Sequence, residues 1–306
     1  MLHYFISQKR AGFSLNTLKT WVLMAILSVL IVLLGSYIGG RGGAVIALLV
    51  AVAINGFSYF FSDQIAISMS GAKEVTEQQA PELYTIVRHL STRAGLPMPR
   101  VLVSPSPLPN AFATGRDPGH SAIVVNSGLL DMMSTRELQG VLAHEMSHIR
   151  HRDILIASMA ATLAAAITWL AQMLQWGLMF GGERDSRDSN WVGELALMIL
   201  APIAATLVQL AISRSREYKA DEGAARLTRD PDGLADALAK LDHVSRFGTG
   251  RRQDERNSAS TAALAHMYIV NPLRGRSVAG LFSTHPPTEE RIRRLRLMRI
   301  DHSQND

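Results

Sequence analysis

The sequence predicts an α+β fold, mainly α, with a small β-sheet, attached to about four transmembrane helices. Three observations predict it. Residues 20–40, 42–62, 154–182 and 195–213 carry no charge, and each stretch reaches the roughly 20 residues a helix needs to cross a bilayer. The blocks between and after them hold short alternating runs that read as strands among longer runs of helical period. The third observation is a His-Glu-x-x-His pattern at 144–148.

The apolar stretches define the organisation. Residues 1–62 form an N-terminal segment with two spans, at about 20–40 and 42–62. The first follows Lys9, Arg10 and Lys19 as a secretory signal would. Its length, the lack of a small-residue cleavage site and the second span immediately after it predict an uncleaved anchor. Residues 154–213 form a hairpin with spans at about 154–180 and 195–213. The third stretch, about 29 residues or roughly 43 Å of helix, must tilt, kink or emerge. The fourth contains Pro202, which a bundle tolerates. The remaining blocks, 63–153 and 214–306, are two parts of one polar domain. Basic residues cluster before the first span and, as Arg214, Arg216 and Lys219, after the fourth. The positive-inside rule therefore places both blocks on the cytoplasmic side.

Within these blocks, Pro81 opens a helix with Leu83, Ile86, Val87 and Leu90 on one face. Residues 100–104 and 121–125 alternate as strands, and 110–115 makes a short edge strand. Ser134-x-x-Glu137 is a capping box starting a helix that continues through Arg152. Another helix starts at Asp230-Pro231, with Leu234, Leu238 and Leu241 at helical spacing. Residues 248–260 are polar with two glycines and read as a loop, and a basic helix runs from about Pro287.

Composition narrows the function. The 306 residues are 47% hydrophobic and 19% charged, with mean hydropathy +0.11; the charged share is below the roughly 25% of soluble domains. No cysteine is present, which excludes disulfides, thiolate metal sites and cysteine nucleophiles. A net charge of +5 and pI near 9.7 would fit a soluble nucleic-acid binder, but the basic residues sit beside the spans. No glycine-rich phosphate loop follows a strand, so neither nucleic acid nor nucleotide is expected as a partner.

The chemistry lies at His144-Glu145-Met146-Ser147-His148. Residues i and i+4 share a helix face about 6 Å apart along the axis, so two imidazoles can grip one ion. Glu145 is then placed to act on a water that the ion activates. Zinc is the expected ion, because catalytic zinc takes His and carboxylate ligands and keeps one open position. A third ligand is required. His151 is about 10 Å from His144 along the axis and is assigned to the surface. Glu217 in Glu217-Tyr-Lys-Ala-Asp221 fits better, with Asp221 on the same face to hold the free N–H of a ligating His. The hairpin geometry supports it, since the helix carrying the histidines leads into the third span and the fourth returns three residues before Glu217. In Ser283-Thr-His-Pro-Pro-Thr-Glu-Glu-Arg291, His285 is a candidate oxyanion donor, and Arg291 a partner for Asp or Glu.

These residues, in this order, resemble the HtpX family of membrane-bound zinc metallopeptidases, related to the CAAX prenyl proteases. The resemblance covers paired N-terminal spans, Asn110-Ala-Phe-Ala-Thr-Gly115, His144-Glu145-x-x-His148 with Asp153 following, Glu217-x-x-x-Asp221, and His285-Pro-Pro with Arg291. It implies a gluzincin-type catalytic domain at the cytoplasmic face of a bacterial inner membrane, multi-pass, with one Zn²⁺ per subunit. Its substrates would be unfolded, misfolded or damaged membrane proteins in stress-linked quality control, and the lipid bilayer its other partner. It implies His144, His148 and Glu217 as zinc ligands, Glu145 as catalytic base, Asp221 as orienting carboxylate, and Asn110 as part of an edge strand presented to the substrate backbone. Two other readings share the pattern: a catalytically silent zinc-binding membrane scaffold, and a specific processing protease of the CAAX type.

Overall fold

The computed structural model describes residues 15–159, 214–247, 267–269 and 286–303. Residues 160–213, which hold most of the expected second membrane hairpin, lie outside the described residues, as do the 248–260 loop and His285. The chain divides into two compact units, 1–60 and 61–306.

Helix α1 is assigned over Leu15–Ser70, but it is not one straight rod. Asn55 Nδ2 donates to Ser28 Oγ at 2.7 Å. A straight helix would hold residues 27 apart at about 40 Å. The reversal falls at Gly40, whose φ of +57° is open to a residue without a Cβ. The two arms therefore form an antiparallel hairpin. Its polar contacts, Asn55 with Ser28 and with the Met24 carbonyl, face inward, while Val45, Ile46, Leu49, Val52 and Phe57 face outward. This inversion of the soluble pattern fits a lipid solvent, where polar side chains turn toward neighbouring helices. Among the described residues one helix, Gly40–Ser70, is long and apolar enough to cross a membrane.

The second unit is mostly helical around one mixed sheet. Its elements are β1 (Lys73–Glu74), α2 (Pro81–Ala94), β2 (Arg100–Ser104), β3 (Ala111–Gly115), β4 (Ser121–Asn126), α3 (Ser127–Leu130), α4 (Thr135–His151), α5 (Arg214–Thr228), α6 (Pro231–Phe247) and α7 (Thr288–Ser303). Strand order is β1-β2-β4-β3. β2 and β4 pair in parallel, while β1 with β2 and β3 with β4 are antiparallel. The two-residue β1 carries no alternation, so sequence periodicity gives no sign of it. Successive side chains point to opposite faces. Val101, Ala111, Ala113, Ile123 and Val125 join the main core with α2, α4, α5 and α6. Leu102, Phe112, Ala122 and Val124 form a second cluster with Ala66, Leu108, Met267 and Tyr268.

Helix α4 runs through the core. The Ser134 side chain accepts from the Glu137 amide and the Glu137 side chain from the Ser134 amide, the expected capping box. Helices α5 and α6 pack on it, and α6 approaches until Gly140 touches the Leu234 backbone. A Cβ at Gly140 would lie 2.6 Å from Leu234 N and 2.9 Å from its Cα. Neither can yield without moving the helix. Gly140→Ala is expected to destabilise the protein by about 1–3 kcal/mol, as overpacking does, read as a lowered midpoint in chemical unfolding.

Candidate metal centre

Helix α4 presents His144 and His148 on one face, with their Nε2 atoms 3.2 Å apart. From α5, Glu217 places Oε2 3.6 Å from His144 Nε2 and Oε1 3.7 Å from His148 Nε2. Ligand atoms of the three residues all lie within 4.8 Å of one another. Tetrahedral coordination with bonds of about 2.0–2.1 Å separates ligand atoms by about 3.3–3.4 Å, so the cluster fits one small ion almost as it stands. The charge balance agrees. Glu145, Asp153, Glu217 and Asp221 are all at least nine-tenths buried, as are Arg216 and Arg291. Four carboxylates against two guanidiniums leave two negative charges inside, which a divalent cation neutralises. An uncompensated buried charge would be strongly destabilising.

Both imidazoles are held from behind. Asp221 Oδ1 lies 3.0 Å from His144 Nδ1, and Asp153 Oδ2 lies 3.1 Å from His148 Nδ1. Each carboxylate fixes a tautomer that leaves the Nε2 lone pair for the ion. Arg291 of α7 clamps Asp221 bidentately, Nε to Oδ2 at 2.8 Å and Nη2 to Oδ1 at 2.7 Å. Burial works against the charge on Asp221, yet this guanidinium holds its pKa at about 2. Burial also disfavours a charged His144. In the metal-free site, hydrogen bonds to Asp221 and Glu217 outweigh that penalty and raise its pKa to about 9.

Glu145 is next to the cluster and buried, and one of its oxygens accepts from the Ala113 amide at 2.9 Å. Burial pushes its carboxyl pKa up, against the pull of His144 and His148. Ala113 lies on β3, the outer strand. Asn126 N donates to Asn110 O, so the main-chain groups of 110, 112 and 114 face β4, and those of 111, 113 and 115 face outward. The outward edge and the metal cluster line one cleft, completed by Phe112, Ile154, Ala157, Arg216 and Met267–Ile269. Asn110 stands just before β3, with its Oδ1 accepting from Ile269 N at 3.1 Å.

The sequence-predicted residues His144, His148, Glu217, Glu145 and Asp221 are thus brought together, Asn110 lies one residue before the cleft strand, and His151 is on the surface. Three contributors are not evident from sequence reasoning. Asp153 reaches back to His148 only because Arg152 adopts a left-handed conformation, φ +58°, for which a non-glycine residue gives no signal. Arg216 stands in the sequence as one of the basic residues that follow the fourth apolar stretch, and Met267–Ile269 stand out in no motif.

Two histidines and a glutamate converging beside a buried second glutamate, along the outer edge of a sheet, define the class of metal-dependent peptidases. Residues 77–299 match the model of Peptidase family M48. Proteins described as "Protease HtpX homolog" align at about half identity: 50% over 94% of this chain and 100% of the relative in Pelotomaculum thermopropionicum, 51% over 94% and 100% in Syntrophotalea carbinolica, and 50% over 93% and 96% in Pyrococcus abyssi. The chain belongs to peptidase family M48, among the HtpX-like metalloproteases.

Two outcomes follow from the supporting carboxylates and the buried imidazole. Asp153→Ala is expected to weaken metal binding about 10–100-fold, measured by competition with a chromogenic chelator. The raised pKa of His144 stabilises the metal-free protein fully below its unfolded pKa near 6.5, and this contribution is lost as pH rises through about 9. Metal-free protein should therefore lose thermal stability from pH 7 to 9.5, while divalent-ion affinity increases over the same window as the competing proton leaves.

Proposed function

We propose that this chain is a zinc-dependent endopeptidase of the cytoplasmic face of a bacterial inner membrane, cutting misfolded or damaged membrane proteins in stress-linked quality control. The observation that carries the reading is the convergence of His144, His148 and Glu217 with the Glu145 carboxylate beside them. Zinc, when bound, supplies a Lewis acid that acidifies water and polarises the scissile carbonyl.

The chain's own residues do the rest. Glu145 accepts the proton of the attacking water and delivers it to the leaving amine. Its raised pKa suits both halves of that task, and the Ala113 N–H holds the carboxylate in place. Asp221 and Asp153 keep His144 and His148 in the ligating tautomer, and Arg291 keeps Asp221 ionised. His285 is the proposed donor to the oxyanion. The outward groups of Ala111 and the outward carbonyl of Ala113 offer main-chain hydrogen bonds to an extended substrate, a mode that reads backbone rather than side chains and suits unfolded segments of varied sequence. Asn110 would contribute to that strand-wise binding. Membrane residence is supported by the Gly40–Ser70 helix, long and apolar enough to cross a bilayer. Four spans, with both soluble blocks cytoplasmic, complete the proposed topology.

Glu145→Gln is the direct test. It is expected to keep its metal and to lose about 10²–10⁴ of its activity, followed as casein cleavage in detergent with and without chelator. Cleavage by the variant at the wild-type rate would remove Glu145 from the role of base.

A further inference from the structure

An extended substrate must lie along the outward edge of β3, and among the described residues both ends of that edge are occupied. At the Gly115 end, Ser158 Oγ accepts from Gly115 N at 3.3 Å and lies 2.7 Å from Thr114 Oγ1. Ser158 belongs to the helical stretch 154–159 that follows α4, so this end is built into the domain. At the Asn110 end, Met267, Tyr268 and Ile269 line the cleft.

These three residues wrap around the strand. Met267 and Tyr268 pack with Leu102, Phe112 and Val124 on one face of the sheet. Ile269 belongs to the core cluster of Ala111, Ala113 and Ile123, on the other. Passing from one face to the other takes the chain across the free edge of β3. Ile269 is held through both of its main-chain groups: its N donates to Asn110 Oδ1 at 3.1 Å, and its O accepts from Arg291 Nη1 at 3.1 Å. Asn110 is 1% exposed, and its Nδ2 has no hydrogen-bond partner among the described residues. Leaving a buried donor unsatisfied costs about 1–3 kcal/mol.

We propose that Met267–Ile269 is a strap across the Asn110 end of the cleft, occupying the path of a substrate backbone, and that an extended substrate chain displaces it. Ile269's two hydrogen bonds pass to the incoming backbone, whose carbonyl also takes the idle Asn110 Nδ2. No bond is made or broken covalently. The inference rests on the peptidase reading. It specifies that the enzyme opens for unfolded polypeptide and stays shut to folded protein.

The sequence has no cysteine, so a single thiol reports the strap cleanly. Met267→Cys is placed in the full-length Glu145→Gln protein, loaded with zinc, and its reaction with a maleimide is timed alone, with reduced casein and with a folded control protein. Slow labelling in the resting protein, accelerated tenfold or more by casein and not by the control, is expected. Tyr268→Cys repeats the measurement should the first variant unfold. A rate that casein leaves unchanged or lowers overturns the strap. Wild-type protein that never cleaves casein in a chelator-sensitive way would instead overturn the peptidase reading. The two failures are thus read from different samples.

Discussion

Four buried carboxylates sharing one small volume with two guanidiniums set the terms for the rest of this molecule. Glu145, Asp153, Glu217 and Asp221 would repel one another if left with Arg216 and Arg291 alone. A divalent ion between His144, His148 and Glu217 removes the excess charge. Without it, hydrogen bonds to Asp221 and Glu217 favour a proton on His144 against the penalty of burial. Arg291 is placed at the centre. It pins Asp221, stands 3.8 Å from Glu217 and reaches the Ile269 carbonyl. The C-terminal helix α7 is thereby tied to the ligands of α4 and α5. Its outer face is held by weaker, solvent-screened pairs, such as Arg246 with Glu289 at 2.8 Å and Arg299 with Asp232 at 3.2 Å.

The same economy explains the edge strand. A hydrolytic site must exclude bulk water yet admit a polypeptide, and an outer strand with half of its main-chain groups turned outward does both. Ala113 divides its two groups between these tasks, its N–H committed to Glu145 and its carbonyl to the cleft side.

Much of this arrangement is legible in the sequence because it rests on local rules. The capping box of α4, the Leu83–Leu90 face of α2 and the i, i+4 histidines follow from helical periodicity, which no tertiary contact overrides here. Glu217 is legible because Glu217-x-x-x-Asp221 sets two carboxylates on one helical face, three residues after a charge-free stretch ends. The short β1 and the path of Met267–Ile269 depend on contacts between residues far apart in the chain, while the left-handed Arg152 that brings Asp153 to His148 is a local turn without a glycine to mark it. Periodicity carries no trace of them. The reversal at Gly40 is an intermediate case: a charge between two apolar runs marks the turn, while the Asn55–Ser28 contact that locks the arms requires the fold.

The most direct measurement of the central claim is a metal titration comparing wild-type protein with Glu217→Ala, followed by isothermal calorimetry and by elemental analysis after dialysis. One zinc per chain in the wild type, with binding weakened by orders of magnitude in the variant, is the expected result. A variant that retains one ion as tightly as the wild type would show that the paired imidazoles and the carboxylate from α5 do not share it.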